Sequence, residues 1–375
     1  MLYCTTEKPI LSIFWGEIYS PKIFPESVVK GDPHPFYIRK ESSVMAPTIP
    51  AYIAIGRLAV CLSVNKKIEV TRLAVRHPFF VEKSRHALHN PTDCATLNPD
   101  YQRRYTMQRV TIDESLEKKL LDIVARAADI IKDSPFHIDE KDGPVNIVTT
   151  NDVACQEFLY KELSPLIPDA GFLGEESLQD LNHPYLWVID PIDGTANYAR
   201  GINECAISVA LVQGKTPLLG VVHNIFTGEV FCARRGAGAK CNGKPISVSA
   251  RDFSAGILCT AMSVYNKSLA KTCSDIIYDA YMECNDVRRF GGCALELCYL
   301  AAGRCDLYFE MRVFPWDYAA GYLILSEAGG ELTGFGGEVL DFTKATALIG
   351  ANRRDNYDKM RSLVEKHMTC IPYKE

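Results

Sequence analysis

Apolar residues fall into a helical rhythm just after Met107. Leu116, Leu120, Val124, Ala128 and Ile131 recur at helical spacing, and Lys118, Lys119 and Asp122 lie off that stripe. The pattern predicts an amphipathic helix that Ser134 and Pro135 bring to an end. A hairpin is expected around Asp142-Gly143, then a strand over 145–149 and a second helix begun by Asp152. Apolar runs at 170–173 and 186–189 have the length of short buried strands. Strand patterns recur at 205–212, 218–223 and 229–233, separated by glycine-rich turns. Beyond about residue 250 strand and helix patterns alternate, the order of an α/β protein.

The first 106 residues have no such rhythm. They hold ten of the 20 prolines but three of the 25 glycines. Only short apolar pieces, 10–15 and 51–64, have the makings of isolated elements. Charge divides the chain at the same place. Residues 1–106 carry 14 Lys+Arg against 9 Asp+Glu, a net of +5; the remainder carries 27 against 37, a net of −10. The segment is too long and too acidic for a transit peptide. We expect residues 1–106 to be a poorly ordered or non-native extension, with Met107 as the natural start of the module.

Composition narrows the class further. At 375 residues, 47% hydrophobic and 23% charged, the chain is that of an ordinary globular protein. Its net charge of −5 argues against general nucleic-acid binding. The longest apolar run, 51–64, is short for a membrane span and is broken by Arg57. Fourteen cysteines occur without paired Cys-x-x-Cys spacing, and Cys293, Cys298 and Cys305 lie in apolar sequence. They read as small buried hydrophobes, reduced in a cytoplasmic protein.

The candidate chemistry lies in three acidic segments. Leu186-Trp187-Val188-Ile189 runs into Asp190-Pro191-Ile192-Asp193-Gly194-Thr195. Proline disfavours helix at Asp190, so that residue should leave the strand end in extended form. Gly194 permits a tight reversal, and Thr195 or Asn197 then opens a helix. Gly174-Glu175-Glu176 follows a second apolar strand, and by alternation only one glutamate should share the direction of the aspartates. Asp317, in Trp316-Asp317-Tyr318-Ala319-Ala320-Gly321, stands at a helix start followed by small residues that permit close packing. Singly, each segment is an ordinary turn or cap. Together they read as hard oxygen ligands for two or three Mg²⁺ ions.

In order and spacing these segments closely resemble the inositol monophosphatase family of magnesium-dependent, lithium-sensitive phosphatases, from about Met107 to the C-terminus. The resemblance implies an α/β fold, a layered αβαβα sandwich. Residues 107–250 would form its metal- and phosphate-binding half and 251–375 its C-terminal half. It implies that Glu175, Asp190 and the carbonyl of Ile192 hold one ion, while Asp190, Asp193 and Asp317 hold a second. Glu176 would touch a third. Thr195 and Asp152, with Glu175, would orient and deprotonate the attacking water, although Asp152 also suits a helix cap. Phosphate would rest on the amides of Gly194, Thr195 and Ala196, helped by the helix dipole. Lys141 aligns with a basic residue near the site and equally suits a solvated loop.

On the substrate side, the resemblance implies that Glu310 reads ring hydroxyls from a strand end and that the backbone of Gly291, Gly292 and Cys293 touches the ring. Asp193 and Asp317 would also face the substrate. Cys293 is bulkier than the alanine common there, which leaves the alcohol open. Arg288 fits a basic residue before that segment, or a structural salt bridge. The implied activity is hydrolysis of a small phosphate monoester, inositol monophosphate foremost, by a homodimer without membrane or nucleic-acid partners. Alternatives are a histidinol-phosphate, fructose-1,6-bisphosphate or 3′-phosphoadenosine nucleotide phosphatase. From another class, an RNA- or polymerase-associated regulatory role is the alternative.

Overall fold

The structure, a computed structural model, describes residues 51–55, 58–62, 110–141, 146–262 and 266–368. The chain divides into two compact units, Met1–Thr106 and Met107–Glu375. In the first, β1 (Ala51–Ile55) pairs antiparallel with β2 (Leu58–Leu62). The rest of the extension, with the expectation that it is poorly ordered, lies outside the described residues.

The second unit opens with α1 (Glu114–Lys132). Asp113 caps it, accepting from the Leu116 amide at 2.9 Å, and its buried stripe is the one the sequence predicts. The hairpin β3 (Ile138–Glu140) and β4 (Ile147–Thr149) leads into α2 (Thr150–Leu163). Next come β5 (Ala170–Gly174), β6 (Gln179–Asp180), β7 (Tyr185–Asp193) and the single turn α3 (Thr195–Tyr198). β8 (Ala206–Gln213), β9 (Thr216–Asn224), β10 (Val230–Arg234), β11 (Ala239–Cys241) and β12 (Lys244–Ile246) complete an eight-stranded sheet ordered β12-β11-β10-β9-β8-β7-β5-β6. Only β5 and β7 run parallel in it.

The later alternation gives β13 (Ile257–Thr260), α4 (Ala270–Tyr281), β14 (Asp286–Arg288), α5 (Cys293–Ala301), β15 (Leu307–Val313) and α6 (Pro315–Glu327). β16 (Glu331–Thr333), β17 (Thr346–Ala351) and α7 (Arg354–His367) follow. Five of these strands form a sheet ordered β14-β13-β15-β17-β16. The boundary expected near residue 250 falls between the sheets, within one compact unit.

Strand alternation turns these elements into layers. In β7, Trp187 and Ile189 pack with α1 and α2, while Leu186 and Val188 face the core that holds α5 and α6. In β15, Tyr308 and Val313 join that same central core, while Leu307, Phe309 and Met311 pack against α4 and α7. The result is an αβαβα sandwich. The small residues of α6 serve the close approach expected of them: a Cβ on Gly321 would lie 2.8 Å from Leu297 Cβ on α5. Among the described residues no helix is long and apolar enough to cross a membrane.

Candidate active site

The acidic segments converge where β5 and β7 end and where α2, α5 and α6 begin. Asp190 is extended, as the proline requires, and β7 runs past the apolar 186–189 segment through Pro191 to Asp193. Asp190 pairs with Ser208 and Asp193 with Ala206, so two residues of β7 oppose one of β8. Proline, lacking an N–H, is accommodated at this bulge. Asp190 is 2% exposed, and its Oδ1 accepts from the Ile192 amide at 3.0 Å. Gly194 takes the left-handed conformation, φ +85°, and Thr195 then opens α3. That helix is one turn long, too few aligned peptides for the dipole expected of it. The amides of Thr195 and Ala196 precede the first that bonds within the turn, Asn197 N to Gly194 O at 2.8 Å.

Asp152 makes the capping contact and also faces Thr195. At the third position of α2, its Oδ2 accepts from Thr149 N at 2.8 Å and Thr149 Oγ1 at 2.5 Å, while Thr149 caps the helix. Its Oδ1 lies 3.3 Å from Thr195 Oγ1, which is also 3.1 Å from the Ile192 carbonyl. Asp317 repeats the arrangement on α6, accepting from Phe314 N at 2.7 Å. Asp193 reaches across to α5, where its Oδ2 accepts from Ala294 N at 2.7 Å.

Lys141 belongs to the site, its Nζ 2.9 Å from Glu175 Oε1 and 2.5 Å from Glu176 Oε1. Both glutamates contact one cation, while of the two it is Glu175 whose charge acts on Asp190, Asp193 and Asp317. β5 ends at Gly174, and a turn with Ser177 at φ +61° replaces strand geometry beyond it. Gln156, which no local pattern singles out, fixes this turn. Its Nε2 donates to Glu176 O at 2.8 Å and its Oε1 accepts from Glu176 N at 3.0 Å.

On the facing side, Glu310 stands within β15 and not at its end, immediately before a bulge against β17. Tyr308 Oη lies 2.6 Å from its Oε2. Gly291 and Gly292 lead into α5, and a Cβ on Gly292 would lie 3.0 Å from Asp193 Oδ2. Two side chains outside the candidate site residues clamp this loop. Glu296 Oε1 accepts from Phe290 N at 2.8 Å and Gly291 N at 3.1 Å, and Asn197 Nδ2 donates to Phe290 O at 2.7 Å. Arg288 does not join the site: exposed on β14, it pairs with Asp286 and donates to its neighbour's carbonyl, the structural salt bridge. The next residue, Arg289, is the one whose charge acts on Glu310.

The electrostatics of the cluster favour a positive charge. Burial first, then the charges of Glu175, Asp193, Asp317 and Asp152, push the Asp190 carboxyl well above its ordinary range. Asp317 is raised well above it as well, by burial and then Asp193. Burial raises Asp193 to about 7 against the opposing Ala294 amide, with Glu310 and Glu175 adding to the rise. Glu310 is raised to about 7 by burial, and Asp152 to about 6 by burial. Lys141 loses by burial but is raised overall by Glu175 and Glu176. As they stand, no three acidic, histidine or cysteine side chains among the described residues converge tightly on one point. Each carboxylate instead takes an intramolecular donor, and the Lys141 ammonium sits where positive charge is demanded. A buried, mutually repelling set of hard oxygens is the chemistry Mg²⁺ relieves, so the residues fit that ion. A cleft of about 480 Å³ lined by Val110, Asp113, Leu166 and Tyr185 lies at the opposite ends of these strands and holds none of the candidate site acids.

The sequence profile of the inositol monophosphatase family matches residues 106–369. Nus factor SuhB of Xylella fastidiosa is 37% identical over 232 residues, 59% of this chain and 84% of its own. Inositol monophosphatase 3 of Solanum lycopersicum is 33% identical over 258 residues, 64% of this chain and 96% of its own. The solved structure of extragenic suppressor protein SuhB from Bartonella henselae superposes with a TM-score of 0.63 at 30% identity, over 68% of this chain and 100% of its own. An IMPase/NADP phosphatase complexed with Mg²⁺ and phosphate shares the fold, at 22% identity and a TM-score of 0.60 over 66% of this chain and 94% of its own. With the family profile spanning the whole sandwich, and with relatives above 30% identity over most of their length, the chain belongs to the inositol monophosphatase family.

Proposed function

We propose that the chain hydrolyses a polyol phosphate monoester with Mg²⁺, inositol monophosphate being the leading substrate. The observation that carries this reading is that Glu175, Asp193, Asp317 and Asp152 lie near enough to the buried Asp190 for their charges to raise its carboxyl, with Lys141 bonded to Glu175. Glu175, Asp190, the Ile192 carbonyl, Asp193 and Asp317 would hold the ions, with Glu176 at the edge. When bound, Mg²⁺ supplies positive charge to the phosphate oxygens and lowers the pKa of water. The chain does the rest. The amides of Gly194, Thr195 and Ala196 offer donors to phosphate at the turn. Thr195 orients the water and Asp152 Oδ1, bonded to its hydroxyl, takes the proton. Glu310 accepts hydroxyls of the alcohol, which favours a polyol over a nucleotide. The homodimer and the cytoplasmic setting belong to the same proposal.

Phosphate release by the full chain with Mg²⁺ tests it across inositol 1-phosphate, histidinol phosphate, fructose 1,6-bisphosphate and 3′-phosphoadenosine 5′-phosphate. The highest kcat/KM is expected on inositol 1-phosphate. Preference for another member would overturn the pocket reading alone, and inactivity on all four would overturn the enzyme. The relatives named Nus factor SuhB favour one second reading, a regulatory role beside RNA polymerase. The net charge of −10 on residues 107–375 points that role toward a protein contact rather than nucleic acid.

The metal requirement has a pH signature. Asp152 at about 6, and Asp193 and Glu310 at about 7, all lie above their values in the unfolded chain. The folded state thus binds more protons than the unfolded one. Their stabilising contribution is full below about pH 4 and is lost as pH rises through 6 to 7. Mg²⁺ competes with those protons and binds better once they have left. The Mg²⁺-induced rise in Tm is therefore expected to be larger at about pH 7.5 than at about pH 5.5, read by calorimetry. Equal rises at both would remove Mg²⁺ from these carboxylates.

A further inference from the structure

We propose that Cys293 and Tyr308 form a hydrogen-bonded relay that positions Glu310 and thereby sets how tightly the enzyme holds its alcohol. Tyr308 and Glu310 are two residues apart on β15, so their side chains emerge side by side. Tyr308 is fully buried in the central core, and its Oη lies 2.6 Å from Glu310 Oε2 and 3.0 Å from Cys293 Sγ. A phenol has one proton to give. Above about pH 7 Glu310 is ionised and can only accept, and the charge-assisted bond is the stronger, so Tyr308 donates to Glu310. That choice turns a lone pair of Tyr308 toward Cys293, whose S–H can donate. The relay therefore runs from Cys293 Sγ–H to Tyr308 Oη–H to Glu310 Oε2, leaving Oε1 to accept from substrate.

The relay ties two sides of the pocket together. Cys293 is the first residue of α5, directly after Gly291 and Gly292, and the next residue's amide holds Asp193. The bulky residue that leaves the alcohol open in sequence thus has a defined partner in the fold. A side chain at position 293 with no hydrogen to give would free Tyr308 to rotate, and loss of the Tyr308 hydroxyl would free Glu310 itself.

This inference rests on the reading that Glu310 faces the alcohol, so the test carries its own control. Steady-state kinetics of the full chain compare inositol 1-phosphate with p-nitrophenyl phosphate, whose alcohol offers no further hydroxyl. Tyr308→Phe should raise KM for inositol 1-phosphate about tenfold or more, while KM for p-nitrophenyl phosphate moves less than about twofold. Cys293→Ala should give a smaller rise of about two- to fivefold on inositol 1-phosphate, and Cys293→Ser, which keeps a donor, should restore most of it. A Tyr308→Phe change of equal size on both substrates, or failure of Ser to recover what Ala loses, would reduce the pair to packing. Should Tyr308→Phe not fold, the Ala and Ser pair decides alone. Glu310→Gln is the control: no effect on inositol 1-phosphate would overturn the pocket reading beneath the relay. A Glu310→Gln effect without one from Tyr308 or Cys293 would overturn the relay only.

Discussion

Asp190→Asn is expected to lower Mg²⁺-dependent kcat/KM at least about 10³-fold, several kcal/mol of transition-state stabilisation, while leaving the chain folded. The fold should survive because the native carboxylate is a burden to it. Asp190 is 2% exposed, and burial together with four neighbouring acids holds its carboxyl well above the usual range. Asparagine resembles the neutral form that this environment favours. Its side-chain oxygen can still accept from the Ile192 amide, as Asp190 Oδ1 does at 3.0 Å. Without metal the variant should therefore melt at or above the wild-type temperature. With Mg²⁺ the order should reverse, because the wild type gains stability from the ion and the variant has lost the anion that both proposed ion positions share. Phosphate release and melting curves with and without Mg²⁺ read both halves. Activity above about a tenth of wild type, or an undiminished Mg²⁺ shift, would remove Asp190 from the metal centre.

The α/β alternation and the acidic segments are legible because each depends on local pattern, whereas the αβαβα layering is what the family resemblance implies. Leu116 to Ile131 mark α1 by period, and the Asp190 and Asp317 segments are compact enough to read directly. What sequence misses is long-range or finer than its rules. Gln156 holds Glu176 from twenty residues away, and Asn197 reaches Phe290 from ninety-three. Glu296 looks like an ordinary helix residue until its carboxylate is seen to accept two loop amides. Asp190 is extended as the following proline requires, but β7 runs on past the apolar run because pairing with β8 carries it through a bulge. Glu175 and Glu176 lie beyond the end of β5, and it is the turn, not strand alternation, that brings both to Lys141. Arg288 and Arg289 differ by one position, and only the twist of the chain after β14 separates a surface salt bridge from a charge beside Glu310.

Asp152→Asn is expected to cost about 10²- to 10⁴-fold in kcat with little change in KM, the loss of a general base. The competing account is structural, since Asp152 also bonds back to Thr149 at the start of α2. The two accounts separate by atom. Oδ2 serves the cap, whereas Oδ1 faces Thr195 Oγ1 at 3.3 Å. An asparagine that keeps its oxygen on the Thr149 amide must turn its NH₂ group toward Thr195, where it can accept no proton. Stability should move by no more than about 1 kcal/mol, since the amide oxygen keeps the capping contact. Thr149→Ala makes the reciprocal change, removing the cap hydroxyl and leaving the carboxylate in place. It should lose about 1 kcal/mol of stability and less than about tenfold in kcat. The comparison rests on rate at matched stability. If Thr149→Ala slows turnover as much as Asp152→Asn does, the carboxylate holds the helix and another group takes the proton. If the losses differ by two orders of magnitude or so, the capping box holds the base in place and Asp152 is that base.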